Sequence, residues 1–400
     1  MPRLRRADAE RDAWRRVARL LCVRLDAMGD VLMTTPALRA AKESAPRHIT
    51  LLTSPGGAEA ARLVPDVDDV LVYEAPWVKA TPARSDANGD RELIARLAAM
   101  RFDAAVIFTV YSQNPLPAAM VCYLAGIPRR LAHCRENPYQ LLTDWAADFE
   151  PAGGVRHEVR RQLDLVARVG WRTSDERLRL AVPPAAAARV DAMIATLGLD
   201  LGPWAVVHPG ASAPSRRYAP ERFAAVIRAL ARDHGWRIAL TGTGEEAPLL
   251  ESLRGAGGNG AVSLAGALDL AELGALIARA PLLISNNTGP VHVAAAVGTP
   301  VVDLYALTNP QHTPWRVPSR VLYHDVPCRT CYRSVCPEGH HLCLDGVPPA
   351  RVVAAAVDLA RAGRAAPAGD GLPVAAHDAP GSVSSLRTGA VARSAAERPR

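Results

Sequence analysis

Two short segments, far apart in the chain, carry residue types suited to complementary halves of one reaction. The first is Asp26-Ala27-Met28-Gly29-Asp30; the second is Ser285-Asn286-Asn287-Thr288-Gly289-Pro290-Val291-His292. Each stands where a run of Val, Ile and Leu ends and an Ala-rich helical pattern begins, the strand-to-helix corner at which open parallel sheets bind ligands. The upstream corner offers a carboxylate suited to taking a proton. The downstream corner offers a hydroxyl, a glycine and helix N-terminal amides suited to an anion such as a diphosphate. Two such corners imply two sheets sharing one cleft.

The elements needed to hold these corners can be read along the chain. Apolar runs at 20–25, 48–53, 69–73 and 104–108 read as strands, with a short one near 130–133. They alternate with helical patterns at 36–43, 58–63, 92–100, 116–124 and 159–169. Strands without a clean period of two belong in a parallel sheet covered on both faces. A second series has strands at 204–208, 236–241, 261–264, 282–285 and 301–305, and helices at 220–232, 247–253, 269–279 and 291–297. Four hundred residues also exceed what one hydrophobic core usually supports. The division expected is a basic leader over 1–19, a first Rossmann-like domain over 20–180, and a linker with a helix over 181–201, broken from what precedes it by Pro183-Pro184. A second Rossmann-like domain over 202–364 and a disordered tail over 365–400 follow; the tail has almost no large apolar residues. The Pro, Asn and Gly-rich stretch from Tyr73 to Glu92, with Trp77 and Lys79, reads as a long loop, either functional or mobile.

Composition excludes some classes. The net charge of +7 favours an acidic ligand, but aromatics are only 5% and no basic run is interleaved with them to stack bases, so no nucleic-acid partner is expected. The start of the chain lacks a signal peptide, and no segment is apolar enough to span a bilayer, so a cytoplasmic location is expected. Leu4, Trp14, Val17 and Leu21 offer a weak amphipathic face for peripheral membrane contact, against a simpler reading as a solvated leader. Cys22, Cys122 and Cys134 read as core. Cys328, Cys331, Cys336 and Cys343, with His340 and His341 between them, are spaced as candidate ligands for zinc or an iron–sulfur cluster; a reduced structural loop is the favoured reading, and no metal or cofactor is expected.

Four motifs in order, Arg24-Leu25-Asp26-Ala27-Met28-Gly29-Asp30-Val31-Leu32-Met33-Thr34-Thr35-Pro36, His208-Pro209-Gly210-Ala211-Ser212, Arg216-Arg217-Tyr218 and Asn287-Thr288-Gly289-Pro290-Val291-His292, carry a family resemblance. Over about 23–360 the chain resembles glycosyltransferase family 9, the ADP-heptose:lipopolysaccharide heptosyltransferases and their relatives. The resemblance implies an α/β GT-B fold, two Rossmann-like doubly wound domains facing a central cleft. It implies an inverting, metal-independent transferase of lipopolysaccharide biosynthesis that moves a sugar, heptose from ADP-heptose by preference, to a glycan, lipopolysaccharide core or small-molecule hydroxyl.

By the same resemblance Asp30 is the base, with Met28 and Gly29 beside it on the acceptor side. Ser212, Arg216, Arg217, Glu245 (or its neighbour Glu246), Asn287, Thr288, Gly289 and His292 bind the donor. The chain departs from the family pattern in having Arg216 where Lys is usual, Tyr218 where Trp is common, and Asn287 where Asp is usual. An amide at 287 keeps an acceptor and adds a donor, so a changed donor sugar is expected more than a changed reaction. Each role has a plainer counterpart: Asp30 as a helix cap, Arg216, Arg217 and Tyr218 as a solvated loop, His292 as a packed helix residue. Two other functions fit the same motifs: a sugar-nucleotide epimerase, which would release nucleotide without an acceptor, and a non-catalytic sugar-nucleotide-binding protein.

Overall fold

The computed structural model describes residues 11–78 and 81–365. Its first sheet consists of β1 (Arg19–Arg24), β2 (His48–Thr53), β3 (Asp69–Val72), β4 (Ala104–Ile107), β5 (Arg129–Cys134) and β6 (Asp144–Ala147), in the order β3-β2-β1-β4-β5-β6. The second contains β7 (Trp204–His208), β8 (Arg237–Gly242), β9 (Ala261–Ala265), β10 (Leu283–Asn286), β11 (Val301–Leu304) and β12 (Ser319–Leu322), in the order β12-β11-β10-β7-β8-β9. Every pairing is parallel. Both sheets follow the doubly wound path, and the strand order reverses between β1 and β4 in one and between β7 and β10 in the other. Asp26 and Asp30 follow β1, and Thr288 follows β10, so both corners lie at switch points.

The central strands form because they are apolar on both faces: β4 is buried at all four positions and β1 at all but its first. The edge strands β6 and β12 are four residues long and partly exposed. Neither appears among the strands expected from sequence, because a short half-buried edge lacks the apolar run that marks a buried strand. Helix α1 (Met28–Ser44) starts eight residues earlier than its pattern suggests, since Pro36 lies inside it. Proline removes one N–H and with it a bond to the Leu32 carbonyl. The Thr35 hydroxyl donates to that carbonyl instead, at 2.7 Å, and α1 runs on.

The remaining helices are α2 (Ala58–Arg62), α3 (Asn88–Met100), α4 (Leu116–Leu124), α5 (Glu158–Ala167), α6 (Pro184–Leu197), α7 (Pro220–His234), α8 (Ala247–Gly257), α9 (Leu270–Arg279), α10 (Gly289–Val297), α11 (Leu342–Asp345) and α12 (Pro349–Ala365). Helix α9 begins with a capping box in which Asp269 and Glu272 satisfy each other's backbone N–H. Helix α6, in the linker, packs on α9 and is tied to it by Arg279–Asp191 at 2.8 Å.

Three apolar clusters fill the molecule. One lies on the outer face of each sheet, and the third is continuous between the two halves, joining Trp14, Val31 and Leu38 to Ile277, Val291 and Val293. Burial corrects one expectation. Trp14, Val17 and Leu21 are buried, and Trp14 meets Trp171 edge-on at 5.5 Å, so these residues form neither a solvated leader nor a membrane face. Leu4, Lys79 and the stretch 366–400 lie outside the described residues. Among the described residues no helix is long and apolar enough to cross a membrane.

Candidate active site

The upstream corner is built around a cation. Arg24, the last residue of β1, is fully buried, and it meets Asp26 at 3.0 Å, Asp30 at 3.0 Å and Glu158 at 2.8 Å. A guanidinium can serve three carboxylates because its donors fan out in a fixed plane. Burial alone would lower the Arg24 value, but Asp26, Glu158 and Asp30 together push it up, so it stays charged. Burial raises the Asp26 and Glu158 carboxyls against the pull of Arg24. Gln113 donates to Asp26, and Gln162 and Gln311 donate to Glu158.

Asp30 lies in the first turn of α1 but does not cap it; Ala27 is the N-cap and has no side-chain cap bond. Arg24 holds one Asp30 oxygen, Oδ1. The other, Oδ2, has no hydrogen-bond partner among the described residues. Beside this corner, at the ends of β1 and β4, a cavity of about 250 Å³ is lined by Val23, Leu25, Trp77, Val78, Gln113 and Asn114. The long loop thus contributes Trp77 and Val78 to a pocket adjoining Asp26.

The downstream corner is built from neutral groups. Thr288 is the N-cap of α10 in extended conformation, and its hydroxyl makes no cap bond. The first N–H groups of a helix lack internal partners and face outward with the positive end of its dipole. Asn286 anchors the neighbouring loop: its Oδ1 accepts from the Tyr218 N–H at 3.0 Å and its Nδ2 donates to the Pro209 carbonyl at 2.6 Å. Asn287 donates both amide hydrogens internally, to Asp303 Oδ2 and to the His312 carbonyl, each at 3.0 Å. The expectation that this amide offers a donor to the ligand is therefore not met; only its Oδ1 is free. Burial pushes the Asp303 carboxyl up to about 8, against the opposing pull of Asn287 and Arg216.

The two corners touch. A Cβ on Gly29 would lie 2.7 Å from the His292 ring, and one on Gly289 would collide with the Met28 methyl, so the N-terminal turns of α1 and α10 approach through reciprocal glycines. Met28 therefore reaches the donor corner rather than the pocket beside β4. The loop between β11 and β12 bridges the halves as well. The Gln311 carbonyl accepts from the Glu158 N–H at 3.0 Å, and Trp315 donates to the Glu176 carbonyl at 2.7 Å. This loop brings His312 to 4.0 Å from Asp30 Oδ1. His312 Nε2 and His292 Nδ1 are both buried without partners among the described residues. Burial holds both imidazoles well below their ordinary value, aided by Arg216 and His157 near each, so they are neutral.

The other residues singled out in the sequence fall at differing distances from this centre. Arg216 is half-buried and close enough to act on His292, Asp303 and His312. Arg217 is exposed and donates to the Ala211 carbonyl at 2.7 Å; Ser212 and Glu245 are exposed. Glu246, not Glu245, is tucked against the strand ends: it accepts from the Thr243 N–H at 2.9 Å, and a Cβ on Gly242 would lie 2.7 Å from its Oε2. Cys328, Cys331, Cys336 and Cys343 are unpaired and line a cavity of about 20 Å³ with His340 and His341. Among the described residues no three Cys, His, Asp or Glu side chains are grouped to hold a metal. The Cys segment supports the Arg216 loop from behind, since Ser215 donates to the Ser334 carbonyl at 3.0 Å and the Arg333 carbonyl at 2.7 Å.

Sequence reasoning did not assign Arg24, Glu158, Asp303 or His312. A signal existed for the first, a charge ending an apolar strand, because a buried charge needs partners.

Two Rossmann-like units opposed across one cleft are the GT-B architecture, and the likenesses to known proteins agree. The chain belongs to glycosyltransferase family 9 (heptosyltransferase), whose model matches residues 91–342. It is 26% identical over 341 residues to lipopolysaccharide heptosyltransferase 3 of Escherichia coli, covering 82% of this chain and 95% of that one. Its fold matches a family 9 glycosyl transferase from Veillonella parvula with a TM-score of 0.72 and 21% identity, over 86% of this chain and 98% of that one. It also matches the E. coli ADP-heptose lps heptosyltransferase II, with a TM-score of 0.68 and 23% identity, over 87% and 100% of the two chains.

Proposed function

We propose that this glycosyltransferase moves a sugar, heptose from ADP-heptose by preference, onto a hydroxyl of a lipopolysaccharide-type glycan with inversion at the anomeric carbon. The observation that carries the reading is the opposition of a carboxylate with one free oxygen, on Asp30, to the N-terminus of α10 across a closed contact. Asp30 Oδ2 takes the acceptor proton as the acceptor oxygen attacks. Arg24 fixes the carboxylate through Oδ1, so that the basic lone pair faces the cleft. Thr288, Gly289 and Arg216 receive the charge that develops on the departing diphosphate, and no metal is required for that role.

In this reading the N-terminal unit, about 20–180, takes the acceptor in the cavity beside β1 and β4, and the C-terminal unit, about 202–364, takes the donor. Names of relatives support the donor and acceptor class: one neighbour is an ADP-heptose lps heptosyltransferase, and one relative is a lipopolysaccharide heptosyltransferase.

Thermal unfolding with ADP, GDP, UDP and dTDP tests the nucleotide. At about a hundredfold excess over Kd a ligand of the folded state adds about 2.7 kcal/mol, so the preferred base stands out by several degrees. Incubation with ADP-heptose and a heptose-deficient lipopolysaccharide core, with the product linkage assigned by NMR, tests the reaction. A retained configuration would refute the single-displacement reading. Nucleotide release independent of acceptor would favour an epimerase.

A further inference from the structure

Position 287 carries an amide, and the adjacent strand carries a carboxyl, Asp303. Asp303 lies within β11, is fully buried, and accepts from Asn287 Nδ2 at 3.0 Å; its other oxygen has no partner among the described residues. The second Asn287 hydrogen goes to the His312 carbonyl, also at 3.0 Å. A carbonyl can only accept, so this bond fixes which end of the amide is nitrogen. Asn287 Oδ1 is left with no partner among the described residues, next to the start of α10.

We infer that Asp303 is a positioning residue that sets donor-sugar specificity: with the His312 carbonyl it locks the Asn287 amide so that Oδ1 faces a hydroxyl of the donor sugar as an uncharged acceptor. A carboxylate at 287 would present the same acceptor but place a negative charge beside the diphosphate. With the carboxyl at 303 instead, the acceptor geometry is kept and the acid is set back behind an amide, where burial holds it uncharged. Removing Asp303 would leave Asn287 held on one side only, free to turn its oxygen from the sugar. The inference rests on the reading of an ADP-sugar donor.

The test compares calorimetric affinities of the full chain for ADP and for ADP-heptose, since only the second carries the hydroxyl. Asp303→Ala is expected to weaken ADP-heptose about tenfold, the scale of one lost hydrogen bond to a ligand, and ADP by less than about twofold. Asp303→Asn keeps an acceptor for Asn287 and should restore most of the loss, which also guards against a folding defect in the alanine variant. In an Asn287→Ala background, Asp303→Ala should cost nothing further, because it acts through Asn287. Equal losses for ADP and ADP-heptose, additive effects in the cycle, or no rescue by Asp303→Asn would each overturn the inference. If the wild-type chain binds ADP and ADP-heptose equally, the inference falls and the ADP reading stands. If it binds neither, both fall.

Discussion

The two corners of the cleft are the same piece of topology solved in opposite electrostatic ways. After β1 the chain surrounds one buried guanidinium with three carboxylates; after β10 a buried carboxyl accepts from one amide, in a corner whose two imidazoles are neutral. The difference fits what the proposed reaction asks of each corner. A base must remain an anion next to other carboxylates, which requires a cation in contact. A diphosphate site must receive negative charge, so an ionised acid there would oppose binding, and burial keeps Asp303 protonated. The β11–β12 loop joins the two, with Gln311 on Glu158 and the His312 carbonyl on Asn287.

The sharpest way to break this contrast is Asp30→Asn. The amide retains the shape but not the proton affinity, so transfer should fall by about a hundredfold to ten-thousandfold. ADP affinity should stay near wild type, because the diphosphate site belongs to the other half. Calorimetry and a transfer assay measure both, and an Asp30→Asn chain with wild-type turnover would remove the base from the upstream corner.

Glu158→Ala tests whether that corner is a charge network or a collection of contacts. It strips one fully buried partner from Arg24, and breaking a buried pair from one side typically costs about 3–5 kcal/mol. For a unit of this size that is a fall of roughly 10 °C in Tm. A change of only a degree or two would show that Asp26 and Asp30 alone satisfy the cation. Arg216→Ala acts on the other corner, where about 1.5–3 kcal/mol of nucleotide affinity should go with one charge-assisted bond. Unchanged ADP binding would return Arg216 to the surface of its loop.

How much of this contrast was legible in the sequence depends on how local each part is. Both corners are: Asp30, Thr288 and Gly289 sit where an apolar strand gives way to a helical pattern, and the structure sets them at the two switch points. The alternation of buried strands and helices gave the two sheets for the same reason. Nonlocal partners were invisible. Glu158 opens α5, more than a hundred residues from Arg24, and Asp303 reads as one polar residue at the end of a Val-rich strand. His312 lies in a loop whose course is decided by contacts across the cleft, with Glu158 and Glu176, which no periodicity reports. Edge strands β6 and β12 do not stand out in the sequence because, half-buried, they lack the apolar run that marks the other short strands.

A pH effect bears on the claim that the downstream corner is neutral. In the unfolded chain Asp303 ionises near 4, and in the fold burial raises it to about 8. The uncharged form therefore contributes stability that is fully present below the unfolded value and is lost as pH rises through the folded one. Asp303→Asn carries no proton to lose, so its stability should lack this slope. Relative to the variant, wild type should be best at pH 5, lose ground to about pH 8 and hold level from there to pH 9. Three pH units at about 1.4 kcal/mol each make about 4 kcal/mol, so the gap should change by on the order of 10 °C in Tm over that interval. Other titrating groups are common to both chains and cancel in the comparison. A gap that stays constant from pH 5 to pH 9 would mean that Asp303 is ionised throughout and balanced by Arg216. The downstream corner would then be an ion pair, and the contrast with the upstream corner would be one of number of charges, not of kind.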